Sequence, residues 1–313
     1  MHASAAAGQY YDPTIWTQEV QVAAAPLWRF RQFARDVTDQ APGDKYLVLQ
    51  KSELEGFGTN GTRVITAGTN IATGSYVLST VAFAATEHGV GVWVENLVKL
   101  CSPYEVDAET RDTLARDMAN AIDGFIRLKC FSAGDAVTNI IATGYGNYFC
   151  SRGGSITASG TPTATMIYDL VGTGVDYLLS NNVPKVQRDG IGEGYICLCH
   201  PRSARGVKKL SNFVSAAQYA DAGRLYRGEI GLWEGAYWIE TTNVGYNSTG
   251  YWSYMFGEGA FGQKIWIEPE IRMDFAPTTA NDMGRHGKIV WYGVVDVKNF
   301  YQQYVAGLLC TPG

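Results

Sequence analysis

The sequence predicts an α+β fold. Short apolar runs with period-two alternation recur along the chain, as half-buried strands require. One long stretch in the first half carries apolar residues at helical spacing. Glycine, at 36 of 313 residues, exceeds the usual share of about 7% and favours turns and strands over a helical bundle. The length is large for one simple core, so two lobes or one elaborated fold is expected.

Residues 1–42 read as an N-terminal arm. The stretch "IWTQEVQVAAAPLWRFRQFARDV" places Ile15, Trp16, Leu27, Trp28, Phe30 and Phe33 where each needs a cover. Another surface could supply it, or the stretch is the first helix of an ordinary core. Next, "KYLVLQ" (Lys45 to Gln50) reads as a short buried strand. The segment from about Lys51 to Thr80 is rich in glycine and threonine, and Asn60-Gly61 is a strong hairpin turn signal. With no apolar run long enough for a core, it reads as a protruding two-stranded loop. The chain then returns as strand, with Val90, Val92 and Val94 alternating.

Asp107 to Phe131 is the clearest helix, about 37 Å long at 1.5 Å per residue. Asp107 is the expected N-cap, and Glu109 complements the dipole in the first turn. Leu114, Met118, Ala121, Ile122, Phe125 and Leu128 form the expected buried stripe. Asp112 with Arg116, and Asp123 with Arg127, are favourably ordered i,i+4 pairs. Cys150 to Thr165 reads as a polar linker. "MIYDLVGTGVDYLLSNNVP" reads as a second helix, and "GYICLCHP" as a buried strand ending at Pro201. Another short helix is expected between Ser203 and Gly228. Strands then alternate with turns from Glu229 onward.

Charge and motifs narrow the function. The net charge of −5 argues against tight nucleic-acid binding, which needs a basic patch. The densest basic run, "RSARGVKK" (Arg202 to Lys209), reads as a solvated loop. No stretch approaches the ~20 apolar residues of a membrane span. The opening "MHASAAAGQYYDP" has no apolar core before a cleavage site, so the six cysteines are expected to be free thiols made in a reducing cytoplasm. Cys197-x-Cys199 followed by His200 has no second pair at zinc-finger spacing, so a buried thiol pair beside a turn histidine is expected. "GEGAFG" (Gly257 to Gly262) lacks the Gly-Lys-Ser/Thr of a phosphate loop and reads as a tight turn. Catalytic, cofactor and metal sites are therefore all expected to be absent.

"LYRGEIGLWEGAYWIETTNV" (Leu225 to Val244) carries Glu229, Glu234 and Glu240 among aromatic residues. Glu234 and Glu240 lie six apart in a predicted strand and would share a face. A β-rich carboxylate-pair hydrolase would need them about 5–9.5 Å apart in a cleft. A monomeric carbohydrate-binding module using the tyrosines is a further alternative.

The same residues carry a resemblance. "YRGEIGLWEGAYWIETTNV" resembles the Gly-Glu-Ile-Gly-x-x-x-Gly-x-x-x-Ile-Glu-Thr segment of tailed-bacteriophage major capsid proteins, nearest the branch typified by the short-tailed coliphage N-four. "ICLCHPRSARGVKKL", "YMFGEGAFGQKIWIE" and "GRHGKIVWYGVVDVKNFYQQYVAGLL" are similar to that family's later segments, in the same order. The resemblance implies the tailed-phage, herpesvirus and encapsulin capsid fold (HK-ninety-seven type). It implies an N-terminal arm (1–42), a peripheral domain (43–165) with extended loop 51–80 and spine helix 107–131, an axial domain (166–255), and a return to the peripheral domain (256–313). It further implies a non-enzymatic virion protein whose partners are its own copies in hexamers and pentamers, then scaffold, portal and cement proteins. DNA would be enclosed without sequence-specific contacts. The glutamates would then serve turns, packing and subunit contacts.

Overall fold

The computed structural model describes residues 28–37, 45–51, 78–102, 105–131, 146–150, 156–157, 162–188, 192–210, 214–215, 229–246, 250–275 and 284–312. Ile15, Trp16, Leu27, the Asn60-Gly61 turn, most of the linker and most of 211–228 lie outside them. In chain order the strands are β1 (Arg35–Asp36), β2 (Lys45–Lys51), β3 (Leu78–Ala84), β4 (Glu87–Glu95), β5 (Gly146–Cys150), β6 (Ile156–Thr157), β7 (Val186–Arg188) and β8 (Gly192–Cys199). They continue with β9 (Val214–Ser215), β10 (Glu229–Trp233), β11 (Ala236–Glu240), β12 (Tyr251–Phe256), β13 (Phe261–Asp274), β14 (His286–Asn299) and β15 (Val305–Cys310). Among the described residues the helices are α1 (Asn96–Cys101), α2 (Val106–Cys130), α3 (Tyr168–Ser180) and α4 (Pro201–Lys208), with 3-10 turns at Arg31–Phe33 and Gln302–Tyr304.

Three sheets result. Four strands run β1-β13-β14-β4; a larger sheet runs β6-β5-β15-β12-β8-β11-β10-β9, with β7 also on β8; β2 and β3 pair alone. The larger sheet is apolar on both faces, because alternate residues of each strand point opposite ways. Ile196 and Leu198 of β8 join one core with α2 and the four-stranded sheet. Tyr195, Cys197 and Cys199 join a second core beneath α3 and α4. The frame is thus mixed α+β, and β15 sits between β12 and β5.

The long helix forms as expected over 25 residues, with Leu114, Met118 and Ile122 of the expected stripe buried and the other three not. Its buried side is Leu114, Met118, Ile122, Ile126 and Cys130, with Ala115, Ala119 and Asp123 beside them. That is an i+4 ridge, the row that runs inclined by about 26° to the helix axis. Ala121 is exposed, and Phe125 and Leu128 are only half-buried; Phe125 packs against His88 at 4.3 Å between ring centres. Asp107 is not the N-cap. Glu105 holds that position without a side-chain bond, and Asp107 instead pairs with Lys99 at 2.8 Å. Asp112–Arg116 forms at 2.8 Å.

Asp123 does not serve an i,i+4 pair on the helix surface. It is fully buried and accepts from the backbone N–H groups of Arg29 (2.6 Å), Phe30 (3.4 Å) and Arg31 (3.2 Å). Burial pushes its carboxyl up to about 6, against those donors, which favour the charged form. The seat explains how residues 28–37 dock. Phe30 enters the core against Phe131 at 5.2 Å, Phe33 meets Phe256 at 5.7 Å, and β1 adds in parallel to β13. Trp28, Phe30 and Phe33 are therefore covered by their own chain, through a 3-10 turn and a short strand rather than a helix.

The base of the predicted protruding loop is present. β2 and β3 pair antiparallel from Lys45↔Ala84 to Lys51↔Leu78. Phe83 is buried against Phe300, and the buried Asp296 accepts from the Ala84 N–H at 2.9 Å, tying β3 to β14. The expectation of a buried strand at Lys45 to Gln50 is wrong: Leu47 and Leu49 are 61% and 58% exposed. A two-stranded ribbon has no second layer to cover both of its faces.

Candidate functional site

The glutamate segment folds as the hairpin β10–β11. Glu234 and Gly235 form its two-residue turn, with φ of 50° and 71°. Both central residues of this turn type need positive φ, because that twist matches the flanking strands. Glu234 is thus in the turn, not on a strand face with Glu240. Tyr168 Oη donates to its carboxylate at 3.3 Å, and the Glu234 charge raises the phenol's pKa. Glu240 closes the far end of β11, where Lys208 Nζ lies 2.7 Å away. Glu229 begins β10 opposite Ile239, beside a β-bulge.

Six residues of extended chain separate Glu234 from Glu240 by about 20 Å, against the ~5–9.5 Å of a glycosidase pair. Their roles follow from their partners. Replacing either glutamate by glutamine should change stability by less than about 1 kcal/mol, the usual worth of an exposed pair. Thermal melting checks this, and a hydrolytic turnover lost on either change would restore the catalytic reading.

The Cys-x-Cys-His segment behaves as predicted. Cys197 and Cys199 share the buried face of β8 toward α3 and α4, and desolvation drives both thiols strongly away from the thiolate. Cys310 joins them, its Sγ 3.4 Å from Ser203 Oγ. His200 is the N-cap of α4, its Nδ1 accepting from the Arg202 N–H at 3.1 Å. Burial first, then Arg202, lowers its pKa, which keeps the ring in the neutral form that can accept. Cys101 is exposed, whereas Cys130, Cys197, Cys199 and Cys310 are buried. A thiol reagent should therefore label Cys101 in a fast phase, and Cys101→Ser should remove that label. The four buried thiols should react about 100-fold more slowly, or only on unfolding. Fast labelling of Cys197 or Cys199 in the folded protein would contradict this packing.

"RSARGVKK" is not a loop. It is α4, with Pro201 at the first position and Ser203, Ala204, Gly206 and Val207 buried. Gly206 lies against the chain entering α3: an added Cβ would meet Met166 Cβ at 2.9 Å and its backbone N at 3.1 Å. "GEGAFG" is the predicted turn, Gly259 taking φ of 69° between β12 and β13. Among the described residues no group of His, Cys, Asp and Glu could hold a metal ion, and no helix is long and apolar enough to cross a membrane.

What the described surface does show is uncovered apolar area, concentrated between residues 47 and 100. Leu47, Leu49 and Leu78 line one face of the β2–β3 ribbon. Val90, Val92 and Trp93 stand out from β4, and Leu97, Val98 and Leu100 from α1, with Leu100 84% exposed. Val90 and Val92 alternate as predicted, but only Val94 of that set is buried. Large apolar side chains left in water in this number are what an association surface is built from.

No protein-family model and no curated protein matches the chain. Solved structures do match it. The Cyanophage Pam1 capsid asymmetric unit superposes with a TM-score of 0.64 over 93% of this chain and 92% of that one, at 14% identity. The capsid of Ralstonia phage GP4 gives 0.61 over 90% and 87%, at 12% identity. A chain from Mycobacterium phage Che8 gives 0.57 over 85% of each, at 16% identity. The chain therefore has the tailed-phage capsid fold, of the HK-ninety-seven type.

Proposed function

We propose that this chain is the major capsid protein of a tailed bacteriophage, assembling into capsomers and an icosahedral shell around double-stranded DNA. The observation that carries the reading is the uncovered apolar surface of the β2–β3 ribbon, β4 and α1 on a subunit with this fold. A single copy leaves that surface in water; neighbouring copies would bury it. The mild net negative charge suits a container, because a basic lining would hold DNA fast. Its role is structural rather than catalytic, and its place is the virion, assembled in the host cytoplasm with scaffold, portal and cement proteins as partners.

The finer parts of the reading rest on the ordered segments from "YRGEIGLWEGAYWIETTNV" onward, which favour the N-four branch. The division follows those segments: arm 1–42, peripheral domain 43–165 and 256–313, axial domain 166–255. α2 on the four-stranded sheet supports the peripheral part, and α3 and α4 on the larger sheet support the axial part, with β5 and β15 completing that sheet. Sedimentation and electron microscopy of the purified protein test the reading. Capsomers or closed shells are expected; a monomer at all concentrations would overturn it.

A further inference from the structure

We propose that neighbouring copies associate head to tail through the second core's two helices, the cationic face of α4 on one copy seating against the acidic face of α3 on the next. This rests on the shell-forming reading and names one contact within it.

Both helices bury their apolar sides on the same face of the larger sheet. Their outward sides are sorted by sign. α4 contains no acid, and Arg202, Arg205, Lys208 and the following Lys209 are all exposed. α3 contains no cation, and its exposed side carries Asp169 and Asp176. Lys208 is engaged by Glu240, and the Arg202 guanidinium lies 5.8 Å from the Tyr251 ring. Among the described residues, Arg202, Arg205, Lys209, Asp169 and Asp176 have no ion pair. One chain therefore does not satisfy its two rows against each other.

The rows match in pitch. Asp169 and Asp176 are seven positions apart, as are Arg202 and Lys209; seven helical residues span about 10 Å. Two ion pairs can therefore form at once along one helix–helix contact. The occupant is fixed by this complementarity: the acidic row that fits the cations is on the same protein. A contact between two different patches of identical chains is heterologous, and such contacts close into rings or run on as filaments. Opposite charges across an interface steer approach and fix register, while like charges exclude it.

The test is a charge swap read by sedimentation of the assembled fraction. Arg202→Glu, Arg205→Glu and Lys209→Glu together should lower assembly at least about 10-fold at fixed concentration. Asp169→Arg with Asp176→Arg should do the same. All five positions are exposed, so thermal melting should confirm that each set still folds. Combining both sets should return assembly to within about 3-fold of wild type, the signature of direct coupling. Either single-row reversal assembling like wild type overturns the proposal, as does loss in both without rescue in the combination. Normal shells from the α4 reversal with weakened retention of a short DNA duplex would assign the row to packaged DNA and overturn it too. Wild-type protein that never assembles would instead sink the shell reading on which the contact rests.

Discussion

Replacing Leu47, Leu49 and Leu78 together by serine should leave the subunit folded and stop it assembling. The register places Leu47 opposite Ala82, Leu49 opposite Thr80 and Leu78 opposite Lys51. The three leucines therefore share one face of the ribbon. The other face carries Phe83 into the subunit. Since the leucines are about half or more exposed in one copy and belong to neither core, their loss weakens the ribbon locally and leaves both cores intact. Burying what remains of each against a neighbour is worth about 1 kcal/mol. Three per contact make about 3 kcal/mol, or roughly 100-fold in the association constant. Across the many contacts of a closed shell that shortfall should leave subunits or small oligomers. Sedimentation should show the loss, and melting of the isolated subunit should stay within about 2 °C of wild type. Shells at wild-type yield would remove the ribbon from the list of contacts.

Asp123→Ala should destabilise the subunit itself by about 3–5 kcal/mol. It strands the buried N–H groups of Arg29, Phe30 and Arg31, and each unsatisfied buried donor costs about 1–3 kcal/mol. Urea denaturation measures it. A loss under 1 kcal/mol would mean that residues 28–37 are held by Phe30 and β1 alone. The same residue makes a pH prediction. Its folded pKa, about 6, lies above its ordinary value of 3.8, so between those values the folded state binds more protons. The contribution of Asp123 to stability therefore rises as pH falls from about 7 to 4, and is flat outside that window. About two pKa units correspond to roughly 3 kcal/mol. Asp123→Asn should lose this acid-side gain, so its pH–stability curve should diverge from wild type in that window. Parallel curves would place the titration elsewhere.

The helix α2 shows where pattern reading succeeds and where it slips. Its length was legible because 25 residues without a proline, with acids early and cations late, favour a helix whatever surrounds them. Its buried side was legible only to within a turn. Ala121 and Ala119 have the same chemistry, and only the position of the sheet decides which is covered. Asp123 carried no sign of burial, since its partners are backbone groups that every sequence has. The Glu234 turn was hidden for a similar reason. Trp-Glu-Gly-Ala reads as strand until the bend at Gly235 is seen to need its preceding residue at positive φ as well.

The sequence by itself determined the local features: the α2 and α3 helices, the β8 strand stopped by Pro201, the buried thiol pair and the turn at Gly259. Each depends on periodicity or on a glycine or proline whose backbone limits hold in any context. The ordered segments also carried the capsid fold. Only the tertiary structure decided which surfaces are covered. It placed Phe30 and Phe33 on their own core and left Leu47 and Leu49 in water. It set β15 between β12 and β5, and it parted Glu234 from Glu240 to opposite ends of a hairpin. Burial is a relation between segments far apart in the chain, as in the 92 to 94 positions between Asp123 and its donors. No local pattern encodes it, because an apolar residue has the same chemistry whether its own chain covers it or another copy must.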